Sequence, residues 1–167
     1  MDQMSIARPL VIDPACRGIY QGTFPSNEVL PKPTKFPAGY ILNTDRSGNV
    51  GMHWYAMFVW DKSNRQRTAE VFDSLGTRGP LPQALRMSLT SWRVRNVIRT
   101  TETYQHPTLS QACGSFAIYF IRMRCHGHSL DRVLKELKPG EYLSNERIVK
   151  RYASLSCPLN GVRFFPS

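Results

Sequence analysis

Cys113, His53, Asp73 and Gln105 are the side-chain types from which a thiol acyl-transfer site is assembled. Cys113 lies where the polar stretch Gln105-His-Pro-Thr-Leu-Ser-Gln-Ala112 meets the apolar run Gly114-Ser-Phe-Ala-Ile-Tyr-Phe120. Phe116, Ala117 and Phe120 follow it at the spacing of one helix face, so the run predicts a buried helix with the thiol at its tip. A thiol in a first helical turn sits beside unpaired backbone N–H groups and at the positive end of the dipole, and both favour the thiolate. Gly114 lets a backbone approach without meeting a side chain. Such a nucleophile needs a base, a group that orients the base, and donors for the oxyanion that forms on the attacked carbonyl.

The elements around Cys113 offer all three. From Met52 to Trp60 the residues alternate, with His53, Tyr55, Met57 and Val59 on one face and Trp54, Ala56, Phe58 and Trp60 on the other. Both faces are apolar, which predicts a central strand. Asp61–Gln66 reads as a polar turn and Arg67–Asp73 as the second strand of a hairpin. His53 and Asp73 are symmetric about residue 63, so a symmetric antiparallel register would oppose them directly, and a one-residue slip would separate them. Asp73 would then hold the imidazole in the tautomer that leaves one nitrogen for the thiol, with Trp54 covering the ring. Val94–Tyr104 is strand-forming and delivers Gln105, whose amide joins the Cys113 backbone N–H as oxyanion donor. Gln111 competes for that role but lies too near Cys113 to face it easily across a turn, so Gln105 is favoured. Singly, each residue has an ordinary structural use as core histidine, turn aspartate or buried thiol. Their common placement at element ends is the signal.

The chain has 167 residues, enough for one domain with its own core, and a single domain over 1–167 is expected. Prolines at 25, 31, 33 and 37 make residues 1–38 an irregular N-terminal arm. Gly39–Thr44 reads as a strand closed by the turn signal Asp45–Asn49, and Pro80–Trp92 as a helix. After the cysteine helix, which should end near Gly127, Ser129 caps a second helix and Ser144 or Asn145 a third. Residues 129–167 thus form a helical C-terminal region, with the tail from Pro158 unassigned. No apolar run approaches the ~20 residues that span a bilayer, and residues 1–8 lack signal-peptide features, so neither a membrane partner nor secretion is expected. The four cysteines show no paired spacing, which fits reduced thiols. Cys125, His126 and His128, with Cys113, are metal-ligand types, but the Cys-His-Gly-His spacing suits a helix terminus better than a closed site. Twenty-two Lys and Arg against twelve Asp and Glu leave a net charge of +10. That balance suits a polyanionic partner, with Arg93, Arg95 and Arg99 as the candidate contact.

At these residues the chain resembles adenain, the adenovirus maturation protease family, and the wider clan shared with SUMO- and NEDD8-deconjugating proteases. The resemblance covers most of residues 14–125. It rests on Ala15-Cys-Arg-Gly-Ile-Tyr-Gln-Gly-Thr-Phe24, Leu42-Asn-Thr44 leading to Gly51-Met-His-Trp54, Val71-Phe-Asp-Ser-Leu-Gly76, and Gln105 with Pro107, Ser110 and Cys113-Gly114. It implies an α+β fold with a mixed central sheet and a His53–Asp73–Cys113 site with Gln105 in the oxyanion hole, supported by Trp54 and Gly114. It also implies cleavage of viral capsid or core precursors near glycine during virion maturation, by a monomer in the host nucleus and virion, with the cytoplasm as the alternative. No metal or organic cofactor is implied, while DNA or a peptide would serve as activator. Asp73 stands where adenain has Glu, as the wider clan allows, and the Gln105–Cys113 step is one residue longer. Asn96 matches the cysteine through which adenain is linked to its peptide activator. The rival readings are a deconjugase for a ubiquitin-like modifier and a non-enzymatic basic virion or nucleic-acid-binding protein.

Overall fold

The computed structural model describes residues 3–44, 53–62 and 66–154. The expected turn at Asp45–Asn49, Gly51 and Met52, Cys157 and the tail from Pro158 lie outside the described residues.

Five strands form one mixed sheet in the order β1 (Tyr20–Pro25), β2 (Ala38–Asn43), β3 (Trp54–Lys62), β4 (Gln66–Phe72) and β5 (Val94–Arg99). The outer pairs β1–β2 and β4–β5 run parallel, and the inner pairs β2–β3 and β3–β4 antiparallel. β3 is the middle strand, as its two apolar faces require. Ala56, Phe58 and Trp54 look toward α3 (Cys113–Cys125), which is buried nearly from end to end. Tyr55, Met57 and Val59 look toward α2 (Gln83–Ser91), where Leu85, Leu89 and Trp92 close the second core. The α+β architecture with the thiol at the tip of a buried helix is therefore as expected. α3 is clamped to the sheet by a parallel stack of Phe120 on Phe72, ring centroids 4.9 Å apart. Gly39 of β2 completes the fit, since a Cβ there would come within 3.2 Å of Ile121.

Residues 1–38 are not an irregular arm. They hold helix α1 (Gln3–Ile12), a 3₁₀ turn at Pro14–Cys16 and strand β1. The helix-breaking prolines begin at Pro25, downstream of α1, and the cost of Pro9 inside it is offset by burying Ile6 and Leu10 in the α3 core. The turn is tied down by Asp13, which accepts from Arg122 Nε of α3 at 2.8 Å and pairs with His126 Nε2 at 3.0 Å. Arg124 Nε makes a second buried bridge, 2.7 Å to Glu70 of β4.

Two boundaries also move. The strand after Trp92 ends at Arg99, because Thr100–Tyr104 turn back over the β4 end. Ser129 does cap α4 (Leu130–Lys135), accepting from the Arg132 N–H. α5 (Tyr142–Ala153) starts two residues before Ser144. Asn145 is not its cap but is wholly buried, accepting from the Lys138 N–H at 2.9 Å and donating to the Tyr104 carbonyl at 3.0 Å. This amide couples α5 to the segment that carries Gln105.

Candidate active site

The β3–β4 ladder pairs Ala56 with Phe72, Met57 with Val71 and Lys62 with Gln66, so the hairpin is centred on residue 64 and not 63. His53 and Asp73 are therefore not directly opposed. Continued past the ladder, Asp73 stands across from Tyr55, two residues along from His53. A displacement of two preserves the face, and diagonal neighbours remain within reach of long side chains. His53 Nε2 meets Asp73 Oδ1 at 2.7 Å, and the Leu75 N–H donates to the same oxygen at 2.9 Å, which fixes the carboxylate.

His53 also hydrogen-bonds the Cys113 thiol. Burial alone would push the Cys113 pKa up. The His53 bond, the backbone N–H of Trp54, the His53 charge and the backbone N–H of Gly114 together bring it below the usual thiol value. For His53, burial opposes the cation, but the hydrogen bonds and charges of Asp73 and Cys113 prevail and raise the pKa to about 9. Such a pair favours thiolate and imidazolium. Cys113 keeps 8% of its surface exposed, so the nucleophile is sheltered yet reachable. It is the first residue of α3, and its N-cap Ala112 offers no side-chain acceptor, which leaves the first-turn N–H groups for the sulfur and for an oxyanion.

Gln105 is buried and oriented at both ends. Its Oε1 accepts from Ser74 Oγ at 2.7 Å, and its Nε2 donates to the Ser110 carbonyl at 3.0 Å, leaving one amide hydrogen for an incoming oxygen. The Tyr104 and Gln105 backbone N–H groups both donate to the Ser74 carbonyl, at 2.8 and 3.0 Å. Ser74, adjacent to Asp73, thus joins the loop of the acid to the loop of the amide. Ser74 enters the sequence analysis only inside the Val71–Gly76 motif, with no role of its own; its place between Asp73 and Gly76 was the available signal. α5 backs the same loop through Asn145 and through Glu146, which hydrogen-bonds Ser110. Gln111 is exposed.

Trp54 is buried in the α3 core and touches the site through its backbone N–H. Arg93 and Arg95 are exposed, while Arg99 is half-buried and donates through Nη1 to the Gly79 carbonyl at 2.8 Å. Among the described residues no cluster of His, Cys, Asp and Glu could hold a metal ion. His126 is drawn to Asp13, and Cys125 contacts Cys16, whose thiol together with burial pushes the Cys125 pKa up. No described helix is long and apolar enough to cross a membrane.

No protein-family model matches the chain. A 91-residue stretch is 31% identical to the SUMO-1 cysteine protease of African swine fever virus, covering 52% of this chain and 33% of that protein. The chain thus spans about a third of the length of the curated relatives it matches. Among solved structures, the African swine fever virus protease is 26% identical over 71% of this chain and 43% of that one, with a TM-score of 0.46. The Xanthomonas campestris effector XopD, solved bound to ubiquitin, is 15% identical over 90% of each chain, with a TM-score of 0.46. Across about half of its length, this chain is similar in sequence to a viral cysteine protease.

Proposed function

We propose that the chain is a cysteine endopeptidase that processes viral capsid or core precursors at Gly-containing sites during virion maturation. The observation that carries this reading is His53 held between Asp73 and the Cys113 thiol at the tip of α3. The Cys113 thiolate attacks the scissile carbonyl, and the oxyanion is met by the Gln105 amide and the Cys113 backbone N–H. The His53 imidazolium gives its proton to the leaving amine as the C–N bond breaks, leaving a thioester. Neutral His53 then takes a proton from water, whose oxygen displaces the thiolate and releases the carboxylic acid product. Asp73 orients the ring throughout and stabilises its charge. In this reading the protein works as a monomer in the host nucleus and virion, and DNA lying along Arg93 and Arg95 assists it.

A second reading, removal of a ubiquitin-like modifier, is favoured by the sequence similarity to a SUMO-1 cysteine protease. Incubation with capsid precursors, with and without DNA, separates the two. Wild-type protein should release fragments ending near glycine, Cys113→Ala none, and DNA should speed release. Labelling of Cys113 by a SUMO-based suicide probe, without precursor cleavage, would favour deconjugation. Cys113 should also alkylate on the order of 10²-fold faster than Cys16 or Cys125. Equal rates, with cleavage retained in Cys113→Ala, would refute both.

A further inference from the structure

A cavity of about 200 Å³ between the β3–β5 strand ends and the 77–82 segment is lined by Asp73 but not by His53 or Cys113. Two buried polar atoms among the described residues have no hydrogen-bond partner, Tyr55 Oη and Arg99 Nε, and both residues line this cavity. Tyr55 is only 6% exposed, so its hydroxyl does not reach bulk solvent. An unpaired buried hydroxyl or guanidinium N–H costs ~1–3 kcal/mol, and two at one cavity point to a group that satisfies both. One bridging water needs only ~10–15 Å³ of such space, far less than is present.

The charge around the cavity says what kind of group fits. Arg99 makes no ion pair among the described residues, and the exposed Arg78 stands at the same opening. The one carboxylate there, Asp73, has an oxygen committed to His53 and to the Leu75 N–H. Two guanidiniums therefore face one carboxylate, beside a phenol that can turn its proton inward. Leu81 and Pro82 supply apolar wall that would contact the body carrying the charge.

We infer that the cavity bounded by Tyr55, Arg99, Arg78 and Asp73 is a binding site for a compact oxyanion, a phosphate or carboxylate group, distinct from the thiol site. The anion accepts from Arg99 Nε and Tyr55 Oη, with Arg78 closing over it from the solvent side. The site is coupled to the chemistry because Asp73 lines both. An anion held beside Asp73 adds negative charge near the imidazole and favours its protonated form.

The test is isothermal titration of the full chain carrying Cys113→Ala, so that it is independent of any peptidase activity. Sodium phosphate and sodium propionate are titrated in separate arms at constant ionic strength, with chloride as control. One-to-one saturable binding of phosphate, of propionate or of both is the expected result, and the arm that binds more tightly identifies the source as a phosphoryl group or an acidic side chain. Tyr55→Phe, which removes one oxygen and keeps the shape, should weaken binding about tenfold. Arg99→Gln should abolish it, while Arg93→Gln and Arg95→Gln leave it unchanged. No saturable binding in either arm overturns the inference. So does binding that Tyr55→Phe leaves intact, a variant whose unchanged packing makes misfolding no explanation.

Discussion

Replacing Asp73 by Asn isolates the charge that the site depends on. The amide keeps the shape and can offer its oxygen to both His53 Nε2 and the Leu75 N–H, which now meet Asp73 Oδ1 at 2.7 and 2.9 Å. What disappears is the negative charge beside the imidazole. His53 is held at about 9 against burial, with Asp73 as the first of the groups raising it and Cys113 as the second. An opposite charge in contact is worth ~1–3 pKa units, each ~1.4 kcal/mol, so loss of Asp73 should lower the His53 value by about 1–2 units. The reactive ion pair exists between the lowered Cys113 pKa and the raised His53 pKa, so the upper limb of kcat/KM against pH should lie near 9 in the wild type. In Asp73→Asn that limb should move to lower pH, with turnover down by ~10²–10⁴-fold because the ring is less well oriented. The sign for stability is fixed by the same shift. A raised His53 pKa stabilises the fold fully below 6.5, and that contribution is lost as the pH rises through about 9. The stability gap between wild type and variant should therefore narrow from pH 6 to pH 10. The assays are initial rates on a Gly-containing peptide across this range, iodoacetamide inactivation in parallel, and urea unfolding at both ends. An upper limb that stays near 9 in Asp73→Asn would refute the assignment of Asp73 as the source of the shift.

Two further substitutions test what holds the site in place. Gly76 has φ +78, and a Cβ there would stand 2.6 Å from the Thr101 carbonyl oxygen, so Gly76→Ala should cost ~1–3 kcal/mol in urea unfolding and lower turnover by displacing the Asp73–Ser74 loop. Asp13→Ala should cost ~3–5 kcal/mol, because Arg122 would be buried without its 2.8 Å partner. The double variant Asp13→Ala, Arg122→Met should recover most of that loss. Burial raises the Asp13 pKa but His126 and Arg122 bring it below its usual value, so the wild type should lose this contribution only as the pH falls through that lowered value.

The helix tip at Cys113 and the double-faced β3 were legible because each is written in a single periodicity. The His53–Asp73 contact was legible for a less direct reason: the centre of the hairpin is off by one residue, the register by two, and a shift of two keeps every side chain on its face. The N-terminal α1 was not legible. Its stability comes from Ile6 and Leu10 packing on α3 more than a hundred residues later, which no local pattern around Pro9 announces. Ser74 and Asn145 escaped for a similar reason. Both are polar residues whose roles are set by backbone groups far away in sequence, the first at Gln105 and the second at Tyr104 and Lys138. Composition marks such residues as turn or cap formers, and only the fold shows them facing inward.

The joint at Asn145 gives the protein a handle remote from its nucleophile. Inhibitors that react with the thiol meet the same chemistry in every cysteine hydrolase. A compound lodged between α5 and the 106–110 loop, where His106, Ser110, Tyr142 and Glu146 border a cavity of about 580 Å³, would instead act on the loop that holds Gln105. It would lower turnover without competing with substrate, and substitutions that blunt it would appear on α5 while the thiol kept its reactivity.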